Sequence, residues 1–430
     1  MSRKSAMIFV GLVLGLGWAI RGHFGHEWGA SWAGAMSVLA VLAVTRRKDW
    51  SLRWPVLVVM GGVGWGLGGM MSYGIVVGYC RGIEFGNVLY GYAMLAVIGG
   101  LYGFIGGGWF GLGLESTEKN KPDWAALLTQ MVAGALFFWA VLIPQFEWKM
   151  TPPRSELWAA CFGAAFALTW YLYRNGYSRA LRLAVYSAIG GGFGFAFGNF
   201  LQLLGNVSGL SFNWWNVMEF SLGFFGGLGM AYGVLTRQWP ETVRPSRVAN
   251  WLGLIFLFFA IPATNLIHQF DKGHLVEMGE RLGYANPHGF AQVQALIAWI
   301  VLLVFLIFGI LVYRRHQENG QSLRHSIVPL FLYAYTLWYL FYSHMKKGFL
   351  YKGSPFQLEQ LLYWVVLAVF FVMWLLKGRQ DNELLFAVEQ KETWKRAWGI
   401  GIALIVILVV ITLISINIHD GQFGYHERFK

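Results

Sequence analysis

Between Gly15 and Gly34 the chain reads GLGWAIRGHFGHEWGASWAG, which sets Arg21, His23, His26 and Glu27 between two apolar runs with almost no loop to hold them. Three kinds of chemistry fit these residue types. Arginine presents a rigid fork of donors suited to carboxylate, phosphate or sugar hydroxyls, and histidine titrates near neutral pH, so the cluster could bind a solute and couple its movement to protons. His23, His26 and Glu27 also fall at i, i+3 and i+4, where one helix face could present them to a metal ion. Against that, HFGHE lacks the HExxH order of zinc peptidases, and Gly25 weakens a local helix. In a third reading Arg21 pairs with Glu27 at an interfacial turn while the histidines reach towards water. The sequence assigns neither a metal nor a catalytic residue.

Glu219, in WWNVMEFSLGFFGG, is a second ionisable group at membrane depth. It lies about five residues, or ~7–8 Å, inside its segment, and its expected partner is Arg21 or a histidine of the first hairpin. Asn199, Gln202 and Asn206 recur on one sector of a later span, and Ser72 and Tyr73 occupy the corresponding part of the third. Such side chains suit hydrogen bonds between helices or a hydroxylated solute. The candidate substrate-binding or coupling set is therefore Arg21, His23, His26, Glu27 and Glu219, supported by Asn199, Gln202, Asn87 and Asn216.

The elements that must position these groups are membrane helices. Of 430 residues 57% are hydrophobic and 13% charged, with apolar runs near twenty residues from end to end, the composition of an all-α polytopic membrane protein. Thirteen spans are predicted, at 5–22, 28–45, 55–79, 88–114, 124–145, 156–173, 181–205, 214–236, 249–268, 293–313, 326–344, 355–376 and 397–417. The first apolar run continues into Arg21 without a small-residue cleavage site and reads as a retained span rather than a signal peptide. Alternating sides places 22 of the 33 Lys and Arg on one face, in loops such as RRKDWSLR, EKNK and RQWPETVRPSR. That face is expected to be cytoplasmic, with the N-terminus inside, the C-terminus outside and a bacterial-type inner membrane as the setting. The net charge of +12 is thus spent in orienting loops, and nucleic acid is not an expected partner. Cys80 and Cys161 form no CxxC pair and read as packing residues. No Walker motif or GxSxG occurs, which argues against an intrinsic ATPase, and no cofactor is implied.

Glycine, 55 residues in all, is concentrated before position 240 and is patterned. Gly15–Gly22 reads GLGWAIRG, Gly62–Gly69 reads GVGWGLGG and Gly192–Asn199 reads GFGFAFGN. Each falls on a span running inside to outside, and after the second and third an asparagine, Asn87 or Asn216, opens the return helix. These observations predict a repeated helical hairpin in spans 1 and 2, 3 and 4, and 7 and 8, with spans 5 and 6 a degenerate copy. Arg21 occupies a position filled by Gly68 and Gly198 in the sister motifs, so one copy is specialised. Residues 1–245 read as a glycine-rich repeat core and 246–430 as a C-terminal scaffold facing lipid or forming a homo-oligomer contact. The function expected is secondary transport of a small polar solute, anionic or sugar-like, coupled to protons or ions. A membrane-embedded transferase for a lipid-linked or cell-envelope substrate is the alternative, and a structural subunit of an envelope complex the third.

Overall fold

A computed structural model describes residues 1–318, 327–348, 351, 357–377 and 394–429; the predicted loop stretches 319–324 and 378–382 lie outside them. No strand occurs among the described residues, and ten helices are long and apolar enough to cross a bilayer. In lipid the backbone must satisfy its own hydrogen bonds, which leaves the helix as the conformation open to such apolar segments. In chain order the α-helices are α1 (Arg3–Arg21), α2 (His26–Thr45), the short α3 (Lys48–Leu52), α4 (Trp54–Gly69), α5 (Gly74–Tyr79), α6 (Phe85–Glu115), α7 (Trp124–Ala140), α8 (Leu157–Arg174), α9 (Ser178–Val207) and α10 (Trp214–Leu235). The C-terminal part adds α11 (Arg247–Ile255), α12 (Ile261–Gln269), α13 (Lys272–Arg281), α14 (Pro287–Glu318), α15 (Ile327–Lys347), α16 (Leu358–Lys377) and α17 (Lys395–Ser415). Short polar side chains stop the fraying of several starts: Ser2 accepts from Ser5 N on α1, Asp123 from Ala126 N on α7 and Asn213 from Asn216 N on α10.

Six helices close on themselves. α1 packs on α2, α2 on α4, α4 on α6, α6 on α9, α9 on α10, and α10 returns to α1. Glycine makes the closure possible where α6 crosses α9: a side-chain carbon built at Gly99 of α6 would overlap the carbonyl oxygen of Gly191 on α9, and the reverse also holds. The middle of the ring is filled with aromatic side chains. Trp18 meets Trp65 and Tyr102 edge to face at centroid distances of 5.8 and 4.9 Å, and all three are fully buried.

α15 packs outside the ring against α2, α16 against α1, and α17 against α6 and α9, while α7 and α8 pair with each other. Only 22% of the most apolar window of α7, α14, α16 and α17 is buried, against 94% for α2, so these four helices lie on the outside of the protein and α2 lies inside. One apolar cluster runs from α1 and α2 into the C-terminal helices, with Trp32 stacked on Tyr339 at 4.0 Å. In the segment predicted at 249–268, a π-helical stretch, Phe256–Ala260, lies just before Pro262, whose missing N–H disturbs the regular ladder.

The third predicted span, 55–79, is corrected. It is two helices, α4 and α5, separated by an unwound stretch from Met70 to Tyr73. Gly68 and Gly69 weaken the helix just before it, and the Tyr102 hydroxyl donates at 3.4 Å to the Met71 carbonyl that the break frees. The segments predicted at 156–173 and 326–344 are helical as α8 and α15, but with α4 they fall outside the ten.

Hydrogen bonds sort the loops onto two ends. At one, Arg47 donates to the carbonyls of Trp239 and Pro240 at 2.9 Å, Arg179 to Gln238 O at 2.7 Å, and Val243 N to Ser116 O at 2.8 Å. These are the loops rich in Lys and Arg. At the other end the C-terminal tail lies over α5 and α6, His426 N donating to Gly78 O at 3.1 Å.

Leucine at Gly191 should overpack the α6–α9 crossing and cost about 1–3 kcal/mol or more, read as a lower unfolding temperature in detergent. Leucine at Gly399, which has open space around it, should not lower it. Equal effects at the two positions would refute the close-packed ring.

Candidate functional site

α1 ends at Arg21 and the chain reverses within four residues, through a 3-10 turn, Gly22–Phe24, and Gly25. Gly25 has φ 84° and ψ 170°, a region that a side chain strongly disfavours, so glycine is required where α2 starts at once. This tight reversal leaves Arg21 at the helix end with its side chain turned into the ring. Glu219 lies in the second turn of α10, and Tyr73 stands at the end of the unwound stretch before α5. Taking ~1.5 Å per residue, Arg21 is ~27 Å along α1 from Arg3, and Glu219 ~24 Å along α10 from Leu235. Both therefore sit near the boundary opposite the basic loops, in a hydrocarbon core of ~30 Å.

The three side chains form one buried network. Tyr73 donates its hydroxyl proton to Glu219 Oε1 at 2.5 Å and accepts from Arg21 Nη2 at 2.6 Å. Arg21 Nη2 itself lies 3.4 Å from Glu219 Oε1, so the tyrosine is the closer link between cation and anion. Trp215 Nε1 donates to the same carboxylate oxygen at 3.0 Å, and Arg21 Nη1 donates to the His26 carbonyl at 3.1 Å. The guanidinium carbon sits 4.3 Å from the Trp18 ring centre, a cation–π contact. Arg21, Tyr73 and Glu219 are 1%, 3% and 2% exposed, so the charges are held by each other rather than by water. One residue comes from each hairpin of the ring.

The network leaves hydrogen-bonding capacity unused. Arg21 Nε has no partner, and every hydrogen bond to Glu219 ends on Oε1. Oε2 faces Gly22, which is exposed: a side-chain carbon built there would meet only this oxygen, at 4.0 Å. His26 and Glu27 are exposed beside it, the His26 ring set edge-on to Tyr73 at 5.8 Å. A small ligand reaching Glu219 past Gly22 would find a carboxylate, a bridging hydroxyl and a guanidinium behind them.

Of the residues marked from sequence, Arg21 and Glu219 are brought together, with His26 at the rim. Glu27 is exposed, and Arg21 pairs with Glu219 instead of Glu27. His23, His26 and Glu27 do not share a helix face, because Gly25 divides the turn from α2. His23 points to α15, its Nδ1 2.7 Å from Ser343 Oγ and its carbonyl accepting from Lys346 Nζ at 2.5 Å. Asn199 and Gln202 are buried on α9 without a hydrogen bond to the network, and Gln202 Oε1 has no partner. Asn87 holds the C-terminal tail: its Oδ1 accepts from Arg428 N at 2.6 Å and Phe429 N at 2.8 Å, and its Nδ2 donates to Phe429 O. Asn216 donates to the Tyr363 hydroxyl of α16. Tyr73 and Trp215 complete the network and were not in the predicted set; the glycine pair before Met70 was the available signal that span 3 could open there. Among the described residues no cluster of three His, Cys, Asp or Glu could hold a metal. No protein-family model matches the chain, and neither does any curated protein or solved structure.

Removing one member of a buried pair strands the other charge. Arg21→Met and Glu219→Leu should each destabilise the protein by about 3–5 kcal/mol, and the double variant by much less than their sum. Thermal unfolding of all four proteins in one detergent checks this; additive losses would show that the pair is not coupled.

Proposed function

We propose that the chain is a secondary transporter of a small polar solute, anionic or sugar-like, with Arg21, Tyr73 and Glu219 as its binding and coupling site. The observation that carries this reading is a buried network drawn from all three hairpins and joined through a broken span. Ionisable groups at membrane depth are costly and mark solute or proton paths, and unwound backbone there is tolerated where it lines a cavity or lies within protein. The ring supplies the core, residues 1–245, as three copies of one hairpin; the motif aromatics Trp18, Trp65 and Phe195 share a buried cluster through Tyr102. Residues 246–430 form the scaffold. With the basic loops inside a bacterial-type inner membrane and thirteen spans in all, the site faces outward, approached past Gly22.

In this mechanism an anionic group entering beside Gly22 competes with Glu219 for Arg21. A proton that enters with the solute from the Gly22 side and binds Glu219 at Oε2 neutralises the carboxylate and releases the guanidinium to the solute, which couples binding to a proton. The aromatic fill below the site is the barrier that must rearrange for release on the other side.

A second reading is favoured by a lateral cleft of about 240 Å³ between α1, α10 and α16, lined by Leu16, Phe220, Leu362 and Val366 with Asn216 and Glu359 among its polar residues. An apolar cleft open to lipid beside the helix of Glu219 suits a membrane-embedded transferase acting on a lipid-linked substrate.

Proteoliposomes on a solid-supported membrane, challenged with monocarboxylates, inorganic phosphate, sugar acids and neutral sugars, test transport. Wild type should give a solute-dependent current with at least one of them, and Gly22→Leu and Glu219→Gln should abolish it while remaining folded. Unchanged currents in both variants would sink the site assignment. Conversion of a lipid-linked donor without any flux would select the transferase.

A further inference from the structure

A second groove lies on the lipid-facing side of the ring, at the end that gathers the basic loops. It occupies about 390 Å³ between α9, α10 and α17. Its walls are apolar, with Ile189, Phe193, Phe225, Leu228, Leu404 and Ile407 among them, and among the described residues no Asp or Glu lines it. The α17 wall is bathed by lipid, since only 22% of that helix's most apolar window is buried. At the mouth stands Arg396 in the first turn of α17, exposed, its guanidinium carbon 5.5 Å from the centre of the Tyr232 ring. Arg182 of α9 lies 5.6 Å from the same ring centre. It is held there by hydrogen bonds to Gly233 O at 3.1 Å and Thr236 Oγ1 at 2.8 Å. Two guanidiniums thus flank one tyrosine at the polar end of an apolar slot.

The dimensions match one leaflet. From Arg396 to Ile407 the slot follows α17 for ~16 Å, about half of a ~30 Å hydrocarbon core. A cation at the interface with an apolar channel running inward for half a bilayer is complementary to a lipid whose headgroup is anionic and whose chain descends between helices. Arginine suits this task because its planar fork matches phosphate oxygens in pairs.

We propose that this groove is a binding site for an anionic phospholipid, with the phosphate at Arg396 beside Tyr232 and one acyl chain along the α9–α10–α17 slot. The lipid fills a seam that protein side chains leave open, and it ties α17 to the ring. The site is separate from Arg21 and Glu219 and stands or falls independently of transport.

Native mass spectrometry of the full chain in detergent, after delipidation, tests the proposal with 1-palmitoyl-2-oleoyl phosphatidylglycerol against the phosphatidylcholine of the same chains. The phosphatidylglycerol adduct should be retained more tightly, and Arg396→Ala, an exposed substitution, should weaken it by about fivefold without lowering the unfolding temperature. Leu404→Trp, which fills the slot, should remove retention of that lipid, and inorganic phosphate at millimolar concentration should not displace it. Equal retention of the two lipids, or a preference that survives Arg396→Ala, would overturn the proposal. Displacement by phosphate alone would equally reject the acyl-chain slot.

Discussion

A guanidinium and a carboxylate placed at membrane depth must find each other, and the centre of this protein is arranged around that requirement. Arg21, on the first hairpin, can reach Glu219, on the third, only if α1 and α10 touch, and Tyr73 can bridge them only if the second hairpin opens its helix at the same level. The close glycine crossings meet the first demand and the Met70–Tyr73 break meets the second. Each compensates a cost that lipid would otherwise impose, since unpaired charge and unpaired backbone are both expensive there.

The ring and the helices around it use different packing chemistry. Inside, small residues let backbones meet, and large aromatics such as Trp18, Trp65 and Tyr102 fill what remains. Outside, α14, α16 and α17 expose Leu, Ile, Val and Phe; α16 and α17 touch the ring along narrow seams, and α14 packs on the other C-terminal helices. Both lateral clefts lie along such seams, beside α16 and α17. The protein is therefore closely packed at its axis and more loosely joined at its rim. A conformational cycle passing through the ring would have to move bulky rings past glycine, whereas movement at the rim would exchange side chains with lipid.

Two polar residues illustrate how position outweighs type. His23 and Arg21 are neighbours in a motif that invites a joint role, yet the turn sends His23 outward to Ser343 and Lys346 while Arg21 turns in. Asn87 and Asn216 hold equivalent places in the third residue of α6 and α10, but one clamps the C-terminal tail and the other meets Tyr363. The shared sequence pattern describes where a helix begins, and the neighbours that arrive later decide what its first turn does.

Much was legible in the chain alone, because hydrophobicity and glycine act locally. Apolar runs of bilayer length must become helices in lipid, so the all-helical membrane class and the approximate helix limits followed from composition. The cost of a buried charge marked Arg21 and Glu219, and made each a candidate partner for the other. What the sequence could not contain was the closure of the ring, since contacts such as Gly99 with Gly191 or Arg21 with Glu219 join residues far apart in the chain whose distance no local pattern encodes. The same limit kept Tyr73, legible as a polar residue of the third span, out of the candidate set: its segment is apolar enough to read as one continuous span, and only the packing of α2 and α6 around it makes an unwound backbone tolerable. Local physics determined which residues must be buried and paired, and the tertiary structure decided with what.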